Sequence, residues 1–166
     1  PEGRGEEVRG TSRPYVRFVF VDRIVELAPG RSIRAVKNVS ASEDFFADHF
    51  PGAPIMPGAL ILETFIQAGL LMLGAADGFG SQPVVRRVRR AAFKRLVRPG
   101  DQLTIRCESD EGQTVRASAH VDGRQVATAV IEFEPGPALP ADNPLRRLHD
   151  VLRLDLGAVA VEGGLA

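Results

Sequence analysis

The sequence predicts an α+β fold in which a curled, mainly antiparallel sheet of about six strands wraps around one long central helix. Three observations predict it. Only Gly58 to about Asp77 is both long enough for a substantial helix and apolar nearly all round. Two stretches before it and four after it have strand composition. A single helix among six strands cannot supply the crossovers of alternating strand–helix units, so the sheet is antiparallel in the main.

The elements follow in order. Residues 1–14 form a polar tail rich in Gly, Glu and Arg, without the apolar centre of a secretory signal. Tyr15 to Leu27 carries Val, Phe and Ile and reads as a strand; Ala28-Pro29-Gly30-Arg31 is a turn; Ser32 to Ser40 is the second strand. Ala41 to Pro57 is irregular, and Ser42 ahead of Glu43 and Asp44 opens one short helical turn. The central helix ends at Asp77-Gly78-Phe79-Gly80.

Val84 to Val97 is a long strand crowded with Arg. Gln102 to Glu108 alternates, with Leu103, Ile105 and Cys107 on the core side. Gln113 to Val121 alternates too, placing His120 on the exposed polar face. Gln125 to Glu134 is apolar on both faces and belongs inside the sheet. Arg98-Pro99-Gly100-Asp101, Asp110-Glu111-Gly112 and Asp122-Gly123 are the joints, the last a strong hairpin signal. Residues 15–134 thus form the domain. Residues 135–166 are a Pro-rich linker and extension, with a short amphipathic helix over Pro144 to Leu156.

Composition excludes several classes. The 166 residues hold 21 Lys plus Arg and 21 Asp plus Glu, so no overall basic charge favours nucleic acid. With no Trp and one Tyr, base stacking on aromatic platforms is not expected either. One cysteine, Cys107, excludes an internal disulfide framework and a Cys-rich zinc site; it reads as core. Ala59 to Ala76 is long enough for a membrane span, but Glu63, Thr64 and Gln67 lie in its first half, and a carboxylate in hydrocarbon is costly. It reads as a buried helix. No metal cluster, phosphate loop or dinucleotide fingerprint is present, so no cofactor is expected.

The chemistry concentrates in the fifteen residues from His49 to Glu63. His49 is an imidazole in a Pro-rich loop, able to take a proton near neutral pH. Gly58 stands at a helix N-terminus, where a free N–H backed by the helix dipole can bind a developing oxyanion. Glu63 is an isolated carboxyl among Leu60, Ile61, Leu62, Phe65 and Ile66, where its neutral form can donate to a leaving hydroxyl. Gln67 lies one turn on, placed to orient that carboxyl. A base, an oxyanion donor and an acid are what β-elimination beside a thioester requires.

His49 to Glu63 closely resembles the H-F-P-x-x-P-x-M-P-G-x-L-x-x-E signature of FabZ-type 3-hydroxyacyl-[acyl-carrier-protein] dehydratases, with every fixed position present. Val21-Asp22-Arg23 and Phe93 to Leu103 are similar to that family as well, and the likeness covers about Tyr15 to Glu134.

The resemblance implies a hotdog fold, a homodimer or trimer of dimers, and a cytoplasmic enzyme that converts (3R)-3-hydroxyacyl thioesters to trans-2-enoyl thioesters. It implies His49 as base, Glu63 as acid supplied by the neighbouring subunit, Gly58 as the amide on the thioester carbonyl, and a cis peptide near Phe50-Pro51. Phe50, Ile55, Met56, Phe65 and Ile66 are then candidates for the acyl tunnel. Glu rather than Asp at position 63 favours plain dehydration over dehydration with isomerisation. Leu96 stands where the family commonly has Pro, in a strand expected to lie away from the motif.

Arg86, Arg87, Arg89, Arg90, Lys94, Arg95 and Arg98 form a basic run without an acidic residue among them. It reads either as a solvated face or as a docking surface for an acidic acyl carrier protein, with Arg90, Lys94 and Arg95 the favoured contacts. Two other functions stay open at this level: a hotdog thioesterase using Glu63 and water, and a non-catalytic acyl-binding subunit.

Overall fold

The computed structural model describes residues 18–110 and 113–153. The polar tail, Tyr15 to Arg17 of the first expected strand, Glu111-Gly112 and residues 154–166 lie outside the described residues.

The elements are β1 (Arg23–Ala28), β2 (Ser32–Asn38), a single 3-10 turn (Asp44–Ala47), α1 (Gly58–Ala76), β3 (Val84–Phe93), β4 (Gln102–Ser109), β5 (Thr114–Val121), β6 (Arg124–Glu134) and α2 (Pro144–Leu152). One six-stranded sheet runs in the order β1-β2-β4-β5-β6-β3, antiparallel throughout. The sheet curls around α1, which touches every strand from β2 to β6. This is the hotdog fold.

The alternation of β4 and β5 decides which residues meet the helix. Leu103, Ile105, Cys107, Val115, Ala117 and Ala119 are all buried. They enclose Phe65, Ala68, Leu71 and Met72, each 0 % exposed, on one face of α1. Full burial of a side chain as large as Phe65, Leu71 or Met72 contributes about 1.5–3 kcal/mol. By length and composition α1 could cross a membrane, but this face is the core of the sheet.

Several boundaries differ from the sequence reading. The first strand begins at Arg23, because residues 18–20 are held by a side chain of α1 instead of by a ladder. β3 stops at Phe93 instead of Val97, since the backbone N–H groups of Lys94 and Arg95 both turn to the carbonyl of Val126. Leu96 is therefore in an exposed loop, not a strand, and that loop adjoins the motif: the Met56 N–H donates to the carbonyl of Val97 at 2.8 Å. β3 also carries two register shifts against β6, between Val85 and Arg87 and between Val88 and Arg90. Such bulges bend and twist an edge strand. His120 is half-buried, not exposed, and its Nδ1 is enclosed without a hydrogen-bond partner among the described residues.

The extension folds back onto the domain. Leu139 N–H donates to the Gly80 carbonyl, and Ser81 bridges to Ala138. Asn143, 0 % exposed, joins three pieces of chain. Its Nδ2 donates to the carbonyls of Phe79 and Pro140, and its Oδ1 caps α2 by accepting the Arg146 N–H. α2 ends at Leu152 and packs on α1 and β1.

Candidate active site

His49 follows the 3-10 turn, and main-chain bonds fix its position. Its N–H donates to the Phe45 carbonyl at 3.1 Å, and its own carbonyl accepts the Ile55 N–H at 3.0 Å. The ring is tied to the same residue: Nδ1 lies 2.8 Å from the Ile55 carbonyl. A carbonyl can only accept, so Nδ1 carries the proton and the neutral ring presents Nε2 as its basic nitrogen. The imidazole stacks on Phe50, centroids 4.2 Å apart. The cis peptide is His49–Phe50, adjoining the Phe50-Pro51 step near which the resemblance implied one.

The loop that carries His49 is anchored to the sheet by Lys37 of β2. This lysine is 4 % exposed and pairs with Glu43, next to the 3-10 turn, and with Asp22 at 3.8 Å. The sequence offered no signal for this pair beyond its opposite charges.

Gly58 is the first residue of α1, and no side chain caps that terminus. Amides of the first helical turn have no partner within the helix. The Phe93 ring lies so close that a Cβ on Gly58 would meet it at 3.0 Å. A larger residue at position 58 would press on that ring.

Glu63 and Gln67 sit on a less buried face of α1. Gln67 Nε2 donates to Glu63 Oε1 at 2.9 Å and to the Phe18 carbonyl at 2.8 Å, while its Oε1 accepts the Phe20 N–H at 2.8 Å. All of its bonds run to fixed partners, so the amide orientation is set by the network. Glu63 Oε2 is left over for a proton or a substrate.

A cavity of about 760 Å³ opens beside this carboxyl. It lies between the 18–20 segment, the α1 face from Ala59 to Leu70, and the α2 region. The volume is ordinary for a small-molecule site. His49 does not line it, and neither do Phe50, Ile55, Met56, Phe65 or Ile66. Met56 and Phe65 are buried at 2 % and 0 % exposure, Phe50 is 54 % exposed, and Ile55 and Ile66 are half-buried. Within one chain, then, the structure groups Glu63 with Gln67 and keeps His49 and Gly58 apart from their cavity. Sequence reasoning missed Phe18, Phe20, Leu145 and Leu148. The last two carried a signal, since they share helical spacing with Leu152.

The basic run divides in two. Arg87 and Arg89 both pair with Glu132, which is 8 % exposed, across the β3–β6 ladder. Burial alone would raise the Glu132 carboxyl, yet the hydrogen bonds from Arg89 and Arg87 hold it below the ordinary carboxylate value. Lys94 bonds Gln125. Arg90 and Arg95 are exposed and have no acidic partner among the described residues.

A curled sheet around one helix, with a histidine loop at the helix entrance and a carboxyl one turn inside, defines the class. The family model of the FabA-like domain matches residues 13–130, and the chain belongs to that family. Its curated relatives point to one branch of it. A "3-hydroxyacyl-[acyl-carrier-protein] dehydratase FabZ" of Oenococcus oeni is 43 % identical over 121 residues, covering 70 % of this chain and 87 % of the relative. The protein of the same description from Ruminiclostridium cellulolyticum is 44 % identical over 133 residues, covering 77 % and 94 %. The chain is a FabZ-type member.

Solved structures share the fold. The dehydratase heterocomplex ApeI:P of Xenorhabdus doucetiae aligns with a TM-score of 0.57 at 18 % identity, covering 66 % of this chain and 95 % of that one. A hypothetical thioesterase of Streptococcus pneumoniae with coenzyme A aligns at 0.55 and 15 % identity, covering 71 % and 90 %. These likenesses show the fold alone, and the chemistry has to be argued from the site.

Proposed function

We propose that this chain dehydrates (3R)-3-hydroxyacyl thioesters on acyl carrier protein to trans-2-enoyl thioesters, in fatty-acid or polyketide-type synthesis. It works in the cytoplasm and without a cofactor. The observation that carries the reading is the 2.8 Å contact between His49 Nδ1 and the Ile55 carbonyl: it assigns the ring proton to Nδ1 and leaves Nε2 as the acceptor that can serve as base.

Nε2 takes the proton from the carbon next to the thioester carbonyl. The electron pair of that C–H bond becomes the new double bond. The C–O bond to the β-hydroxyl breaks, and neutral Glu63 supplies the proton that lets the oxygen leave as water. The Gly58 N–H, at the positive end of α1, takes the enolate character on the thioester oxygen. Gln67 holds Glu63 Oε1, so that Oε2 is the donor.

His49 and Glu63 serve one substrate when they come from two copies. β3, like β1, has a neighbour on one side only, and pairing of two β3 edges gives a dimer, alone or in a trimer of dimers. The acyl chain then occupies the cavity beside Glu63, and the second copy completes the tunnel with the partly exposed surface of its own Phe50, Ile55 and Ile66, with Met56 and Phe65 behind them. Arg90, Lys94 and Arg95 are the docking surface for the carrier protein, since Arg87 and Arg89 are already engaged by Glu132.

Mass spectrometry of a 3-hydroxyacyl carrier protein incubated with the chain tests this, beside a His49→Ala variant. Loss of one water from the acyl group, absent with the variant, is the expected result. Release of free acid would point to a thioesterase instead. No dehydration at any chain length, together with no hydration of a crotonyl carrier protein, would sink the reading.

A further inference from the structure

We propose that α2, which lies beyond the residues matched by the family model, closes the far end of the acyl-binding cavity and sets which chain lengths are accepted. The inference rests on the reading of Glu63 as the acid.

Ala59, Leu60, Glu63, Gln67 and Leu70 follow one another along α1, so the cavity runs about 16 Å beside the helix. Its two sides differ in chemistry. Glu63 and Gln67 are the polar groups that α1 gives it, and they meet at a hydrogen bond of 2.9 Å. The extension contributes Leu139, Pro144, Leu145 and Leu148, none of which carries a polar side chain.

Where α2 enters is fixed by close contacts. A Cβ on Gly74 would meet Leu145 Cδ2 at 3.0 Å and the Phe79 ring at 2.9 Å. Arg146 bonds the Gly78 carbonyl, and Asn143 bonds that of Phe79. All of these lie at the C-terminal end of α1, three helical turns beyond Glu63. The extension therefore stands opposite the reacting end. A chain attached at its thioester end near Glu63 grows toward Leu145 and Leu148. Those two leucines are only half-buried, while Leu152 on the same stripe is buried. The unspent apolar surface of α2 faces the cavity, where Gln82 is the one polar lining residue outside α1, and an acyl chain is the occupant whose chemistry matches a mainly apolar slot with one acid at its head.

The test is the ratio of kcat/KM for long against short 3-hydroxyacyl carrier-protein thioesters, measured on the full chain. A ratio is read because damage to folding lowers activity at every length alike. Leu148→Ala should raise the ratio, by about fourfold for each further methylene accommodated. Leu148→Trp should lower it. Val151→Ala, on the same helix but 62 % exposed, should leave it unchanged. An unchanged ratio in both Leu148 variants, with wild type active, overturns the proposal. So does an equal shift in Val151→Ala. A wild type inactive at every length overturns the reading of the site itself.

Discussion

Gln67→Met removes three hydrogen bonds while keeping side-chain volume and helix propensity, so it isolates what the amide does. Each bond contributes about 0.5–1.5 kcal/mol net. The Phe18 carbonyl regains water, since Phe18 is 76 % exposed, but the Phe20 N–H is left stranded beside a residue only 4 % exposed. The sum is about 2 kcal/mol, and for a chain of this size that lowers Tm by about 4–8 °C. Glu63 loses its one hydrogen-bond partner among the described residues, so kcat should fall by about ten- to a hundredfold with a smaller change in KM. Gln67→Glu separates the two roles. It keeps the acceptor for Phe20 and loses both donations, so its activity should fall further than its Tm. Thermal melts and steady-state rates with an acyl carrier-protein substrate measure both quantities. If Gln67→Met melts and turns over like wild type, the network does not position Glu63 and the reasoning fails.

Other predictions are more direct. Glu63→Gln keeps an acceptor for Gln67, so its melting curve should match wild type while kcat drops at least about a hundredfold; near-normal turnover would remove Glu63 from the reaction. Glu132 has a carboxyl held below its ordinary value by Arg89 and Arg87. Its contribution is therefore present above the unfolded value and lost as pH falls through the folded one. Glu132→Gln should be less stable than wild type in neutral urea titrations, and the gap should close in strong acid. Burial pushes the Cys107 thiol up to about 12, so iodoacetamide should leave the native protein unmodified and label it fully in guanidinium. Rapid labelling without denaturant would contradict the packing of β4.

The elements were legible because their patterns are local. Two-residue alternation in β4 and β5, and an apolar stretch with a Pro-Gly start for α1, need no tertiary information. Strand order was not legible, because β3 reaches the far edge by crossing α1 and no residue in it records its neighbour. The long Arg-rich strand was read past its end because Lys94 to Val97 is still strand-like in composition; the turn is made by two N–H groups sharing Val126. His120 was misplaced for a related reason. Alternation gives the face of a side chain but not how far neighbouring strands shield it. The chemistry of His49, Gly58, Glu63 and Gln67 was named from residue types. The bonds that orient them run to Ile55, Phe18 and Phe20, and two of those partners lie nearly fifty residues away. α2 was read as a short amphipathic helix, but its place on α1 depends on Asn143, a buried amide that sequence cannot distinguish from a loop residue.

Ile55 meets His49 through its backbone alone, accepting from the ring and donating to the main chain. The tautomer is thus set by a peptide carbonyl that every amino acid possesses. No exchange of side chain at position 55 deletes it, so the basic nitrogen is insulated from point mutation there. What can disturb it is the path of the loop. Activity lost through changes at residues 51–54 would accordingly record a shift in that path and leave the imidazole's own chemistry untouched.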